Sequence, residues 1–220
     1  MGLVLTENQI RMIVILLSTK VAPWLWGIIK TWMDGRKKQP EVPRESRSEM
    51  SKTDKEKVNE TREIIKKHFT EDPAEAIGNM SNIDRVQATS DFVKDLAKAY
   101  GLDIDIDVAL MDSGMWGFYN FGSKKAVFNV SYLMVDKDNE KFKYIVKEFL
   151  DTIVHELRHA VQHRAVEEPG FWDVSDERRA EWAYNMQHYI KAETDIKAYA
   201  KQPIENDAAS FAAMALEGMV

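Results

Sequence analysis

The sequence predicts an α+β fold, and three patterns in the 220-residue chain support this prediction. Apolar residues recur at helical spacing over residues 86–100, alternate with acidic residues over 103–108, and form a wide helical stripe from residue 139 onward. Hydrophobic residues make up 45% of the chain and charged residues 30%, a balance that excludes a wholly disordered protein. We therefore expect one main domain at residues 80–220, with shorter segments before it.

Composition narrows the classes of function. The chain has no cysteine, which excludes a disulfide scaffold, a thiolate zinc site and a cysteine nucleophile. Such a composition is typical of a reducing compartment, so we expect a cytoplasmic protein, with membrane association as the alternative. The formal net charge is −6. Because general nucleic-acid binders are basic, a nucleic-acid partner is not expected.

The first 38 residues differ from the rest, because six basic and two acidic residues accompany the most apolar stretch of the chain. A membrane-spanning helix needs about 20 nearly uninterrupted apolar residues, and Lys20 near the middle would cost about 2.5–3.5 kcal/mol on insertion. We therefore favour two short helices, broken near Pro23, that pack on the domain or on a partner, over a membrane-spanning or interfacial segment. Residues 39–52 are rich in proline and serine and are expected to be a linker.

Helices are predicted on both sides of residue 80. Residues 53–79 are expected to be a helical lead-in, and the charged segment 53–69 within it is expected to be a surface helix. Ser81 and Asp84 are typical of a helix start. Apolar residues at helical spacing follow them, and Gly101 is well placed to end that helix.

Three short segments predict strands. Residues 103–108 alternate strictly between apolar and acidic side chains, residues 115–121 are aromatic with interspersed glycines, and residues 126–132 are β-branched and again alternate. Together they predict a small, largely antiparallel sheet. The aspartates of 103–108 lack the glycine turn and the distal glutamate of a calcium loop, so we expect them to face solvent.

Helices are predicted for the remainder of the chain. From Asn139 the apolar side chains form a stripe so wide that the helix is expected to lie buried in the middle of the domain. A further helix is predicted over residues 176–199, with Ser175 in the capping position. The last helix is expected to start at Pro203, since proline is favourable in a first helical turn.

The buried helix contains His155-Glu156-Leu157-Arg158-His159, the pattern H-E-x-x-H. Residues four apart on a helix are separated by about 6 Å and about 40°, so both imidazoles can bind one ion. Glu156 lies about 100° away, where it misses the ion yet reaches a water bound to it. Two unpaired histidines and a glutamate would be costly to bury without such a ligand. The pattern therefore predicts a Zn²⁺ site, with His155 and His159 as ligands and Glu156 as general base.

A zinc site with two histidines needs a third protein ligand. His163 is offset from His155 by about 80° and about 12 Å along a straight helix, too far to share the ion. Acidic residues on the later helices remain as candidates, namely Glu177, Glu181 and Glu205.

These motifs resemble those of the zincin metallopeptidases, in the gluzincin branch, which pair H-E-x-x-H with a glutamate ligand on a downstream helix. Small bacterial and phage-type members show E-x-x-A-x-x-F-A on that helix, and the matching residues here are Glu205, Ala208, Phe211 and Ala212. The similarity covers roughly residues 104–213 and implies a zincin-like domain at 80–220 with Glu205 as the third ligand. Larger gluzincins place the ligand earlier, in N-E-x-x-S-D, so Glu177 and Glu181 stay open.

The resemblance implies a zinc-dependent metallopeptidase whose polypeptide substrate pairs with the strand bordering the cleft. Glu156 would deprotonate the attacking water and pass the proton to the leaving nitrogen. The alternative is a non-catalytic zinc or interaction domain, in which the metal only holds helices together. We expect Arg158 to pair with an acid, and Asp207 to be a helix-start charge rather than a partner of a histidine. Candidate donors to an oxyanion are Tyr184, His188, Tyr189 and Tyr199.

Overall fold

The computed structural model describes residues 50–111 and 114–219. In these ranges α-helices surround a small three-stranded sheet, so the predicted α+β class is confirmed. The helices predicted within residues 1–38 and most of the linker predicted at residues 39–52 lie outside the described residues. No helix in the described ranges combines the length and the apolar character needed to cross a membrane.

From residue 50 onward three helices precede the sheet, namely α1 (Lys52–Phe69), α2 (Pro73–Gly78) and α3 (Asn82–Ala99). The side chains of Ser51 and Ser81 cap α1 and α3 by accepting hydrogen bonds from the backbone N–H groups of Asp54 and Asp84. After α3 the chain turns at Gly101, where a φ of 70° favours glycine. The predicted start and end of α3 are therefore confirmed.

Helix α1 forms as predicted, but it is not only a surface helix. It packs against α3 and against the last helix of the chain. Its inner face buries five side chains, namely Asp54, Val58, Thr61, Ile65 and Phe69. The apolar members were visible in the sequence, whereas a buried carboxylate in a charged segment was not, since acidic residues are almost never buried unless paired.

The sheet is mixed and has the strand order β1-β3-β2. Its strands are β1 (Asp105–Ala109), β2 (Gly117–Asn120) and β3 (Lys125–Asn129). β2 and β3 form an antiparallel hairpin, whereas β1 pairs in parallel with β3 on its other side. The prediction of a largely antiparallel sheet is therefore wrong for β1. Alternation of side chains reveals a strand, but it does not reveal on which side of the hairpin that strand docks.

Strand β3 lies in the centre of the sheet and is short. Its chain turns after Asn129 into a 3₁₀ helix, Val130–Met134, so the predicted strand at 126–132 ends early. β2 is left at an edge of the sheet. Gly117 begins β2 so close to its neighbours that a Cβ atom there would meet the Phe128 ring at 2.9 Å and the Thr152 methyl group at 3.1 Å.

The longest helix of the described ranges, α4 (Phe142–Glu167), lies in the middle of the domain as predicted, although it begins three residues later than expected. Its apolar side chains pack against the sheet on one side and against the C-terminal helices on the other. The latter are α5 (Asp176–Gln187), α6 (Ile196–Ala200) and α7 (Pro203–Ala215). The prediction of a helix from Pro203 is confirmed.

The prediction of one continuous helix over residues 176–199 is wrong, because the chain leaves the helical path after Gln187. The side chain of Gln202 accepts a hydrogen bond from the Ile190 N–H and donates one to the Ile190 carbonyl group. Asp195 then caps α6 by accepting from the N–H groups that follow it. The resulting loop, residues 188–195, forms one wall of the cleft described below.

Candidate metal centre

Two neighbouring helices bring three side chains to one point. His155 and His159 lie one turn apart on α4, and Glu205 lies in the first turn of α7, which packs along α4. The Nε2 atoms of the two histidines are 3.0 Å apart. Each of them lies 3.3 Å from a different carboxylate oxygen of Glu205. In the described part of the chain, these residues form a group that could hold a metal ion.

The spacing of these atoms fits a small cation. Ligands bound tetrahedrally at about 2.0–2.1 Å from an ion lie about 3.3 Å from one another, and the observed separations are 3.0 and 3.3 Å. The Oε2 atom of Glu205 is buried and has no hydrogen-bond partner among the described residues. A bound cation would satisfy this oxygen, which is otherwise costly to bury.

The charges at the centre favour a positive species. Burial opposes the charged form of His159, but the Glu205 carboxylate outweighs this effect and raises the pKa of His159 to about 9. Burial likewise opposes the charged form of Glu205, yet the two histidines hold its pKa well below the ordinary value. The buried carboxylate therefore stays ionised and attracts either a proton on the imidazole pair or a metal ion between them.

A hydrogen bond behind His159 fixes the orientation of its ring. Gln162 Nε2 donates to the Ile204 carbonyl oxygen at 2.9 Å and to an oxygen of Asp207 at 2.7 Å. Since both of these groups only accept, the Oε1 atom of Gln162 must face His159 Nδ1, 2.8 Å away. The Nδ1 atom then carries a proton whether the ring is charged or neutral, so in the neutral form the Nε2 lone pair points at the centre.

Sequence reasoning missed Gln162 and underestimated Asp207. Gln162 follows His159 by three residues, and a polar residue within the apolar stripe of α4 was the signal that could have revealed it. Asp207 is not merely a helix-start charge, because it holds the Gln162 amide and the Arg158 guanidinium. The prediction that Arg158 pairs with an acid is confirmed, since it binds both Asp207 and Asp54.

Glu156 lies beside the centre without joining it. Its side chain is partly exposed, and one oxygen accepts a hydrogen bond of 2.8 Å from the backbone N–H of Tyr119 on the edge strand β2. Its negative charge also contributes to the raised pKa of His159, and the two side chains line the same cleft. A carboxylate in this position can exchange a proton with a molecule that contacts the metal centre.

Two tyrosines approach the centre from the opposite wall. The Tyr189 hydroxyl donates to Glu205 Oε1 at 2.8 Å, and its ring packs edge-on against Tyr199 at 6.2 Å. Burial, followed by the charge of Glu205, raises the pKa of both hydroxyls far above the ordinary value. Both therefore remain hydrogen-bond donors. Tyr184 and His188 stack on each other instead and do not line the cleft.

An open cleft of about 810 Å³ gives access to these residues. The β2 strand with its flanking residues forms one wall, α4 forms the floor, and the loop after α5 forms the other wall. The aromatic side chains that line the cleft are Trp116, Phe118, Tyr119, Phe121, Tyr189 and Tyr199.

The other candidate ligands lie elsewhere. Glu177 and Glu181 are exposed on α5 and do not belong to the group at the centre. His163 is also outside it, as the helical geometry predicts, and its Nδ1 atom lies 3.0 Å from the Tyr119 hydroxyl. The structure thus brings together His155, His159 and Glu205, with Glu156 beside them.

No protein-family model, curated protein or solved structure matches this chain.

Proposed function

We propose that this protein is a zinc-dependent metallopeptidase with a zincin-like domain. One observation carries the proposal: two imidazole nitrogens and one carboxylate converge at 3.0–3.3 Å, with a second glutamate in the same open cleft. Two histidines and one glutamate are a ligand set typical of catalytic zinc, which keeps a further position for water or substrate. His155, His159 and Glu205 would hold the ion.

The chemistry would be shared between the metal and the protein. A bound Zn²⁺ supplies a Lewis acid and lowers the pKa of a coordinated water to about 7. Glu156 would accept the proton of the attacking water and pass it to the leaving amide nitrogen. The bond from the Tyr119 N–H orients the Glu156 carboxylate for this exchange. Tyr199 would donate to the oxyanion that forms on the carbonyl group.

An extended polypeptide is the substrate class that suits the cleft. β2 is an edge strand and borders the centre, so a peptide can align with it through backbone hydrogen bonds. The aromatic walls offer apolar contacts to its side chains. A structural zinc site, the alternative function, would be closed to solvent, whereas His155 and Glu156 are both partly exposed in an open cleft.

The substitution Glu156→Gln tests the catalytic role. We expect the variant to keep one zinc ion per chain, measured by elemental analysis, and to lose hydrolysis of a mixed peptide library by at least about 100-fold. Glu168→Gln, which changes an exposed glutamate just beyond the same helix, serves as the matched control and should retain both properties. Normal cleavage by Glu156→Gln would refute the mechanism, and full zinc without cleavage by the wild type would favour a structural role.

The third ligand is tested by three single substitutions. Glu205→Ala should empty the site, whereas Glu177→Ala and Glu181→Ala should bind zinc as the wild type does, because both residues are exposed away from the centre. Zinc content after dialysis against a weak chelator measures the difference. Loss of zinc from Glu181→Ala or Glu177→Ala, with retention by Glu205→Ala, would contradict the ligand set proposed here.

A further inference from the structure

We propose that Gln162 is a positioning residue of the metal centre, and that a hydrogen-bonded ladder extends its support to helix α1. The inference rests on the proposed zinc site. The ladder starts at His159 and runs through four buried side chains, namely Gln162, Asp207, Arg158 and Asp54. Helix α1 would then help to orient the His159 ring, although Asp54 precedes Arg158 by 104 residues.

The first step of the ladder determines which nitrogen of His159 can bind the metal. Gln162 is fully buried, and its amide nitrogen is fixed by two acceptors, the Ile204 carbonyl group and Asp207. Its carbonyl oxygen therefore has one orientation, facing His159 Nδ1 at 2.8 Å. An unprotonated Nδ1 would set two hydrogen-bond acceptors against each other, so Nδ1 carries a proton and this protonated nitrogen is held away from the centre.

The second step keeps Gln162 in place. Arg158 binds Asp207 through two parallel hydrogen bonds, from Nε at 2.7 Å and from Nη2 at 3.1 Å. Such a bidentate pair fixes the plane of the carboxylate. The oxygen of Asp207 that receives the Arg158 Nε–H is also the one that receives the Gln162 amide. A shift of this carboxylate would therefore shift Gln162, and with it the ring of His159.

The third step connects the ladder to α1. The remaining arm of Arg158, Nη1, donates to Asp54 at 2.7 Å, and the Trp172 indole donates to the same oxygen at 2.8 Å. Arg158 is 1% exposed and Asp54 is 4% exposed, so solvent cannot replace either partner. If Asp54 were lost, one arm of the buried Arg158 guanidinium would lack an acceptor. The guanidinium would then shift towards its remaining carboxylate partner, Asp207, and displace it.

Gln162→Leu is the central test, because it removes the amide but leaves the Arg158–Asp207 pair. We expect the apparent affinity for zinc, measured by competition with a chromophoric chelator, to fall by about 10- to 100-fold. The visible spectrum of the cobalt-loaded variant should also differ from that of the wild type. Unchanged affinity together with an unchanged cobalt spectrum would overturn the proposal.

Two variants on α1 test the far end of the ladder. Asp54→Asn should weaken zinc binding in the same direction as Gln162→Leu, by a smaller factor. Thr61→Val is the matched control, because it breaks a buried hydrogen bond of α1 to Tyr100 that lies outside the ladder. It should lower stability and leave zinc affinity unchanged. Equal zinc affinities for the two α1 variants would overturn the link to this helix.

The wild type provides a test that does not depend on folding of a variant. In the zinc-loaded protein labelled with ¹⁵N-histidine, NMR should show His159 protonated at Nδ1 and bound to the metal through Nε2. Binding through Nδ1 would overturn the proposal. These measurements separate this inference from the proposed activity. If the zinc-loaded protein has this tautomer but no peptidase activity, only the proposed activity is refuted. If the protein is an active peptidase but Gln162→Leu binds zinc as the wild type does, only the proposed ladder is refuted.

Discussion

Helix α4 carries two clusters of charged groups that differ in one respect, although Arg158 and His159 are adjacent in sequence. Around Arg158, the cation belongs to the protein itself, and it is bound by the carboxylates of Asp54 and Asp207. Around His155 and His159, the carboxylate of Glu205 is buried as deeply, but one of its oxygens has no hydrogen-bond partner among the described residues. The first cluster is complete, whereas the second leaves a buried carboxylate oxygen that a proton on His159 or a bound metal ion would neutralise.

The difference shows how one helix can hold a fully paired cluster of charged groups beside a cluster that could bind a metal ion. The guanidinium of Arg158 lies against the rings of Trp172, Trp182 and Phe211, where no solvent reaches it. Burial opposes its charge, but Asp207 and Asp54 keep the pKa of Arg158 above the ordinary value. The histidines instead border an open cleft. A complete cluster stabilises the fold, whereas an incomplete one with access to solvent can bind an ion.

The largest effect on the free energy of unfolding should come from removing the cation of the complete cluster around Arg158. In Arg158→Met the carboxylates of Asp54 and Asp207 would remain buried without their cation, which costs about 3–5 kcal/mol of the free energy of unfolding. Urea denaturation followed by circular dichroism measures this loss. Arg164→Met is the control on the same helix. Its side chain is about one-third exposed and pairs with Glu168, so we expect a loss of about 1 kcal/mol or less.

If Arg158→Met lowers the free energy of unfolding no more than Arg164→Met does, the contrast between the two clusters is wrong. This result would mean that the buried carboxylates are accommodated without their cation, for example by taking up protons, and that the cluster around Arg158 contributes little to stability.

The next largest effect on the free energy of unfolding should come from adding zinc to the cluster of His155, His159 and Glu205. Zinc at 100 times its dissociation constant should raise the free energy of unfolding of the wild type by about 2.7 kcal/mol, because it binds only the folded protein tightly. Urea denaturation with zinc and with excess chelator gives this difference. In Glu205→Gln, which keeps the shape of the side chain but removes the negative charge, the difference should nearly vanish.

Equal stabilisation of Glu205→Gln and of the wild type by zinc would place the metal elsewhere in the chain. Calcium and magnesium serve as controls for the choice of metal. Both prefer oxygen ligands, so at equal concentration neither should reproduce the effect of zinc on a centre with two imidazoles.

The parts of this molecule that a sequence can predict are those governed by local periodicity. The wide apolar stripe predicted the position of α4. The four-residue spacing of His155 and His159 predicted that both imidazoles lie on the same side of this helix. Caps and turn residues such as Ser81 and Gly101 gave the limits of α3. In each case the residues that determine the structure lie within a few positions of one another, so their effect is visible in the printed sequence.

The parts that could not be predicted depend on contacts between distant segments. Nothing near Asp54 indicates that Arg158 will lie beside it, because the pair forms only when α1 packs against α7, whose Asp207 binds the same guanidinium. The parallel docking of β1 and the end of α5 at Gln187 likewise depend on β3 and on Gln202, which come later in the chain. The pairing of Glu205 with the histidines was predicted only through the resemblance to zincins, since spacing alone left Glu177 and Glu181 open.

His163, one turn beyond His159 on α4, belongs to neither cluster and should give the smallest effect on the free energy of unfolding. Burial lowers its pKa from the ordinary 6.5, against the weaker influence of Glu167, while Lys124 acts in the same direction as burial. Because the folded protein binds this proton less readily, the stability that His163 contributes is complete above pH 6.5 and declines as the pH falls towards the lowered value. We therefore expect the unfolding free energy of the wild type, relative to that of His163→Gln, to decrease between pH 7.5 and pH 5.5. A constant difference in urea denaturation would contradict the lowered pKa of His163. A difference that increases as the pH falls would show that Glu167 holds His163 in its charged form, which would group it with Arg158 instead.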